Sequence, residues 1–353
     1  MKKTIVLKVD PDQPDTDKIW LAAGFIRRGG LVAFPTETVY GLGADALNAD
    51  AVLRLFEAKK RPLDNPPIVH VSDVKDVRRL VKEVPSGAEV LMKEFWPGPL
   101  TLIFKRSDLV PSVTVAGLGT VAVRMPRHEV ALALIRACGC PVAAPSANLA
   151  GKPSPTSAGH VLDDLDGRID VVLDAGSTLV GVESTVLDLT VCPPLVLRPG
   201  GTSLEALREV LGVVELSRVV LAEEALSVGE VRSPGVKYKH YAPNADVVVV
   251  EGELGAVVER VRGLVEVYKR EGKRVGVLCT DETKARYVGA DVVLSLGSRS
   301  DLAGVARRLF GLLRMFDCEK VDVVVAEGLP VEGLGLAVVN RLRKASGYRI
   351  VKA

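Results

Sequence analysis

Short apolar runs alternate along the chain with stretches in which apolar residues recur every three or four positions. In the first two-thirds, "LVAF" at 31–34 reads as a strand and "DAVLRLFEAKKR" at 50–61 as a helix with a basic end. "PIVHV", "LTLIF" and "VAVRM" read as strands. "EVALALIRAC" is helical and leads into the strand "PVAA". "DVVLDAG", "STVLDL" and "PLVLR" give three more strands. "TSLEALREVLG" then makes a helix, with Thr202 and Glu205 spaced as a capping box. So many strands, unevenly interleaved with helices, predict one large mixed sheet.

After Pro243 the rhythm becomes regular. "ADVVVVEG", the helical "AVVERVRGLVEVYKREG", "RVGVLCT", "ADVVLSLG", a helix over 300–320, "VDVVVAEG" and a final helix near "LAVVNRLRKAS" follow one another. That order predicts a small doubly wound, Rossmann-like parallel sheet. The expected organisation is a catalytic domain over 1–215, a connecting segment over 216–243 and a second domain over 244–353. The fold class expected for both domains is α/β.

Composition narrows the function classes. The chain has 353 residues, enough for two ordinary domains, with 48% hydrophobic and 25% charged residues. A formal net charge of only +2 argues against a broad nucleic-acid-binding face. Aromatic residues make up 4%, too few for a base-stacking platform. The opening "MKKTIVLKVD" holds too short an apolar run for a signal peptide, and no run approaches a membrane span. A cytoplasmic location is expected. Cys138, Cys140, Cys192, Cys279 and Cys318 form no CxxC pair, so buried reduced thiols are expected rather than metal ligands or disulfides. Gln13 is the only glutamine, and Lys, Arg and Glu carry the surface, a balance that leans toward a thermophilic source.

No Walker A pattern, no GxGxxG after a strand, no GxSxG elbow and no HExxH occurs. The candidate chemistry consists of polar residues placed where strands end. "FPTETVYGLGADA" carries Thr36 and Thr38 in what reads as a glycine-rich strand-to-helix loop. "KKRPLDNPPIVHV" offers Lys59, Arg61, Asn65 and His70 on a path stiffened by prolines. His70 has a plainer reading as a satisfied, half-buried strand histidine. Arg124 ends an apolar strand and must meet an anion or reach solvent. "AAPSANLAGKPSPT" presents Ser146, Asn148, Ser154 and Thr156 in turns suited to phosphate oxygens. Ser184 enters one strand and Arg198 ends another. Arginines, hydroxyls and turns abound, while a nucleophile–base–orienter triad is not evident. Such a site suits reactants that already carry charge and need positioning and electrostatic stabilisation.

"PTETVYGLG", "KKRPLDNPP", "SANLAGKPSPT", "ESTVLDL" and "LRPGG" occur in the order seen in the L-threonylcarbamoyladenylate synthase family, with its YrdC-like fold. "SPGVKYKHYAP", followed by a small α/β domain, resembles the two-domain form of that family. The resemblance covers nearly the whole chain. Pro67, Ala150 and Val236 depart from the residues common in the family, and none of these departures removes a polar ligand.

The resemblance implies that L-threonine, bicarbonate or CO2, and ATP give threonylcarbamoyl-AMP and pyrophosphate. It implies that the product passes to a separate transferase system, for threonylcarbamoyladenosine next to the tRNA anticodon. Lys59 and Arg61 are then the catalytic candidates. Arg61, Asn65, Thr120, Ser146, Asn148, Ser154, Arg198, Tyr238 and His240 are the ATP-side candidates. Thr36, His70, Arg124, Ala144 (through its backbone) and Ser184 are the threonine-side candidates. Mg²⁺ would ride mainly on the triphosphate, with no metal site in the chain and no tightly bound organic cofactor. Direct tRNA binding is expected to be weak or absent. A related carbamoyltransferase is the rival enzyme reading, but it normally carries zinc-finger segments, and no such cysteine pattern occurs. An RNA-binding module is the rival from another class, weakened by charge and composition.

The segment "SPGVKYKHYAP" at 233–243 reads as a lid rather than a spacer. Pro234 and Pro243 bracket it. If its middle is extended, Lys237, Lys239 and Tyr241 point one way and Tyr238 and His240 the other.

Overall fold

The computed structural model describes residues 3–221 and 241–353. Lys237, Tyr238, Lys239 and His240 therefore lie outside the described residues, and with them the expected lid; Tyr241 lies inside. The described residues fall into two compact units, one drawn almost entirely from the chain before Leu221 and the other from the chain after it.

The first unit opens with β1 (Ile5–Lys8), α1 (Thr16–Arg27), β2 (Val32–Phe34), β3 (Gly41–Asp45), α2 (Ala49–Lys59) and β4 (Val69–His70). It continues through α3 (Val77–Leu80), α4 (Ser86–Phe95), β5 (Leu100–Lys105), β6 (Thr120–Arg124), α5 (Glu129–Cys138) and β7 (Val142–Ala143). Next come α6 (Ala158–Leu165), β8 (Val171–Asp174), β9 (Thr185–Asp188), β10 (Leu195–Arg198) and α7 (Leu204–Leu211). β11 (Glu215–Leu216) and the short α8 (Arg218–Leu221) follow. Among the described residues the strands join in one sheet, in the order β1-β8-β2-β3-β7-β4-β6-β5-β9-β10-β11. The sheet is mixed, as expected: β5 runs antiparallel to β6 and parallel to β9. Paired on both edges, β5 buries Leu100, Leu102, Ile103 and Phe104.

Local signals place the helices. Asn48 caps α2 by accepting from the Ala51 N–H at 3.1 Å, and Lys60 ends it in the left-handed region at φ 50. Val52, Leu55, Phe56 and Lys59 share its buried face, so the helix itself aims Lys59 inward. His128 caps α5, which ends at Gly139 with φ 68.

Several expectations need correction. "YGLGADA" is not a strand-to-helix loop but the strand β3, antiparallel to both β2 and β7. Gly43 serves close packing there, since a Cβ would lie 2.9 Å from Phe34 and from Val142. The cap of α7 is Ser203, which accepts from Ala206 N–H at 3.2 Å, not Thr202. The Thr185 hydroxyl claims Thr202 instead, accepting its N–H and donating to its carbonyl. β1, α1, α3, α4, α6, β11 and α8 were not expected from the sequence. Cys138 and Cys279 are buried and Cys140 half-buried, but Cys192 and Cys318 are exposed, so the cysteines are not uniformly buried.

The second unit comprises β12 (Asp246–Glu251), α9 (Leu254–Arg270), β13 (Val275–Cys279), β14 (Val292–Ser295), α10 (Leu302–Cys318), β15 (Val323–Glu327), α11 (Leu334–Ala345) and β16 (Ile350–Lys352). All pairings are parallel, in the order β14-β13-β15-β12-β16. The valine-rich runs are buried on both faces, which is why they show no alternation. Glu327 is wholly buried at the end of β15. Its carboxylate accepts from Thr280 N–H at 3.0 Å, from the Thr280 hydroxyl at 3.2 Å and from the Tyr287 hydroxyl. Among the described residues no helix is long and apolar enough to cross a membrane.

Leu102 is fully buried in the largest apolar cluster of the first unit. Leu102→Ala should cost about 2–5 kcal/mol, read as a lower urea midpoint for the full chain, whereas Val267→Ala at an exposed site should cost little.

Candidate active site

The site is built around residues 35–41, between β2 and β3. Thr36 is buried, and its hydroxyl donates to Val39 O at 2.7 Å and lies 2.8 Å from Thr38 Oγ1. The neighbouring loops bind this segment through its backbone. Tyr40 N–H donates to Pro155 O at 2.8 Å, and Tyr40 O accepts from Ala147 N–H at 2.8 Å. Glu37 O accepts from Val180 N–H at 2.8 Å and Thr38 O from Gly181 N–H at 3.1 Å. Gly41 bridges to Ser146. The turns around 144–156 and 178–184 thus converge on one loop.

The ATP-side candidates gather beside it. Lys59 is wholly buried, and its ammonium donates to the carbonyls of Ser146 and Asn148. Burial first, and the Arg61 charge second, hold its pKa well below the ordinary lysine range. Lys59 O accepts from Ala150 N–H at 3.0 Å, so the same residue holds both ends of that turn. Arg61 Nε donates to Asn65 O at 2.8 Å and Nη2 to Pro66 O at 3.3 Å, which fixes the guanidinium against its own loop. Asn65 and Asn148 are buried, and Asn148 Nδ2 donates to Leu149 O at 2.7 Å. Ser154 Oγ donates to Glu183 Oε1 at 2.5 Å. Thr120 is half-buried and pairs with Lys105 at the start of β6. It therefore stands about 13 Å along the strand from Arg124, at about 3.3 Å per residue.

The threonine-side candidates form a second cluster. Arg124 donates from Nη1 to Thr38 Oγ1 at 3.0 Å and from Nε to Gly98 O at 3.2 Å, and its Nη2 lies 2.7 Å from Glu37 Oε2. His70 is cross-strand partner to Arg124 and meets the Phe34 ring edge-on at 6.3 Å. It is fully rather than half buried, with Nδ1 3.2 Å from Ile68 O. Burial, reinforced by the Arg124 charge, pushes its pKa down to about 3, so the ring is neutral. Ala144 gives its N–H to Ile68 O at 2.8 Å, leaving the carbonyl as the backbone group it could offer. Ser184 Oγ lies 2.8 Å from Thr101 Oγ1. Arg198, placed on the ATP side by sequence, donates from Nε and Nη2 to Ser184 O at 3.1 and 3.0 Å, and reaches Ser184 Oγ at 3.2 Å. The structure therefore joins one candidate from each side.

Sequence reasoning missed Glu37, Thr101 and Glu183. All three are buried. The available signal was a polar residue adjoining a strand end next to hydroxyl-bearing candidates. Gly200 in "RPGG" also gains a reason, because a Cβ there would fall 2.3 Å from Glu183 O and from the Ser184 carbonyl carbon.

Comparisons with known proteins give the family. A family model described as "Telomere recombination" (Sua5, YciO and YrdC) matches residues 24–200. A second, described as "Threonylcarbamoyl-AMP synthase, C-terminal domain", matches residues 202–347. Threonylcarbamoyl-AMP synthase of Pyrococcus abyssi is 52% identical over 349 residues, 99% of each chain. The chain belongs to the threonylcarbamoyl-AMP synthase family. A second family member, from Bacillus subtilis, is 49% identical over 353 residues, again 99% of each chain. The crystal structure of P. abyssi Sua5 complexed with L-threonine matches with a TM-score of 0.93 at 52% identity, over 99% of this chain and 100% of that one. The α/β fold expected for both domains is the fold of this family, and the family is one of nucleotidyl-transferring enzymes.

The neutral His70 has a consequence for acid stability. Its folded pKa lies below the unfolded value of about 6.5, so the unfolded state binds more protons between those two values. Its contribution is fully present above about pH 6.5 and is lost as pH falls toward 3. We expect the His70 ring signals in NMR to show no titration between pH 5 and 8. We also expect His70→Asn to flatten the acid limb of the stability profile.

Proposed function

We propose that this chain condenses L-threonine, bicarbonate or CO2, and ATP to L-threonylcarbamoyladenylate and pyrophosphate. The observation that carries the reading is the meeting of the two buried clusters on residues 35–41. Two anionic reactants need cationic and hydroxyl-rich surroundings on both sides of the reacting atoms, and little else. Relatives named for this reaction, and one crystallised with L-threonine, support it.

The threonine amine, once neutral, forms an N–C bond to CO2 and gives up one N–H proton to solvent, and the resulting carbamate oxygen attacks the α-phosphorus as the bond to pyrophosphate breaks. Arg124 offers positive charge for the threonine carboxylate. His70, neutral beside it, adds hydrogen-bonding capacity without adding a second charge. Ser184 and Thr36 supply hydroxyls to the same cluster. Ser146, Asn148, Ser154, Asn65 and the Thr120 backbone take the nucleotide. Lys59 holds the Ser146–Asn148 turn in place, and Arg61 and Arg198 offset phosphate charge. Tyr238 and His240 complete the ATP-side set by resemblance. Mg²⁺ would enter with the triphosphate, supplying charge neutralisation there. The site residues fit that role better than a caged ion, since Glu37 faces Arg124 and Glu183 receives Ser154. The product then goes to a separate tRNA threonylcarbamoyl transferase system, with little or no tRNA binding by this chain.

Pyrophosphate release should require both threonine and bicarbonate; equal release without threonine would overturn the reading. Arg61→Ala should lower kcat/KM by about 10²-fold or more, the scale of one preorganised electrostatic donor, with thermal stability little changed.

A further inference from the structure

We propose that Glu37 and Arg124 together form a receptor for the α-amino-acid zwitterion, with Glu37 binding the α-ammonium group of L-threonine. This rests on the reading that threonine is a substrate. Both side chains are 4% exposed, and Arg124 Nη2 and Glu37 Oε2 are only 2.7 Å apart. Yet the contact is not aligned as a hydrogen bond. Arg124 Nη2 and both Glu37 carboxylate oxygens are buried without a hydrogen-bond partner in line. Unmet capacity of this kind is costly in a protein interior, more so for charged groups. The remaining Arg124 contacts are well made: Nη1 to Thr38 Oγ1 and Nε to Gly98 O hold the guanidinium still. The Glu37 backbone is anchored through its carbonyl and Val180 N–H, and its carboxylate lies against the Arg124 guanidinium. So a cation and an anion stand side by side, each with hydrogen-bonding positions left over.

The ligand that meets both demands carries a carboxylate and an ammonium group on one carbon. The carboxylate accepts from Arg124 Nη2, and the ammonium donates to the Glu37 oxygens. A zwitterion adds no net charge, so the buried pair stays balanced on binding. An arginine alone would take any carboxylate; the glutamate beside it would repel a simple carboxylic acid and select for the amine.

The test compares L-threonine with the 3-hydroxybutyrate of matching hydroxyl configuration, which lacks the amine. Binding to the full chain is measured by calorimetry and ligand-observed NMR. The wild-type chain should prefer threonine by about 30-fold or more, from the scale of a charge-assisted hydrogen bond. Glu37→Gln should weaken threonine about 10–100-fold on the same scale, leave 3-hydroxybutyrate unchanged or tighter, and so collapse the preference. Glu37→Asp, which keeps a carboxylate, should restore part of it. Equal weakening of both ligands would show that Glu37 acts only by holding Arg124, and an unchanged threonine affinity would show no role at all; either overturns the proposal. If the wild-type chain binds neither ligand, the functional reading fails first and this inference falls with it.

Discussion

A buried loop must find partners for every backbone polar group it carries, and residues 35–41 meet that demand by recruiting other loops. Carbonyls of Glu37, Thr38 and Tyr40 accept from Val180, Gly181 and Ala147, and the Tyr40 N–H goes to Pro155. Each of those partners belongs to a turn that carries a candidate ligand group nearby. The accounting that lets this loop be buried at all is therefore what brings Ser146, Ser154 and Ser184 to one place. Removing one bond leaves a buried group unpaired and also frees a site loop.

Charge is handled in the same way. Lys59, Arg124 and Arg198 are nearly or wholly buried, and each has protein hydrogen-bond acceptors. Lys59 uses two carbonyls, Arg198 a carbonyl and a hydroxyl, Arg124 a carbonyl, a hydroxyl and the Glu37 carboxylate. Carbonyl dipoles orient a cation without cancelling its charge, whereas a carboxylate cancels it. The Arg124 corner, with the Glu37 carboxylate beside the guanidinium, is close to neutral. A neutral His70 beside Arg124 preserves that balance.

Much of this was legible in the sequence. Strands β4 to β10 and helix α5 follow apolar runs that need no tertiary context, and the parallel second unit follows from valine-rich strands interleaved with long helices. β3 was not legible, because Gly41 and Gly43 look like turn residues. Their meaning depends on Phe34 and Val142 packing against them, which no local pattern shows. The cap of α7 shifted by one residue for a related reason: Thr185, distant in sequence, had already claimed Thr202. Site residues were visible where a polar group interrupted an apolar strand end, as at Arg124 and Arg198. Glu37 stayed hidden because a glutamate in a polar loop looks solvated, and only the sheet reveals that the loop is buried.

The sheet order explains why the site is scattered along the chain. β3-β7-β4-β6-β5-β9-β10 places as neighbours strands that sequence separates, so His70 comes beside Arg124, and Ser184 beside Thr101 and Arg198. His70, Arg124, Ser184 and Arg198 lie at or next to strand ends. The register of β4, β5 and β6 is set by ladders on both edges of each strand. Register therefore fixes the positions of residues that chemistry needs within hydrogen-bond reach. It follows that the apolar interior of β4, β6 and β9 is as much a part of the site's precision as the polar groups it carries.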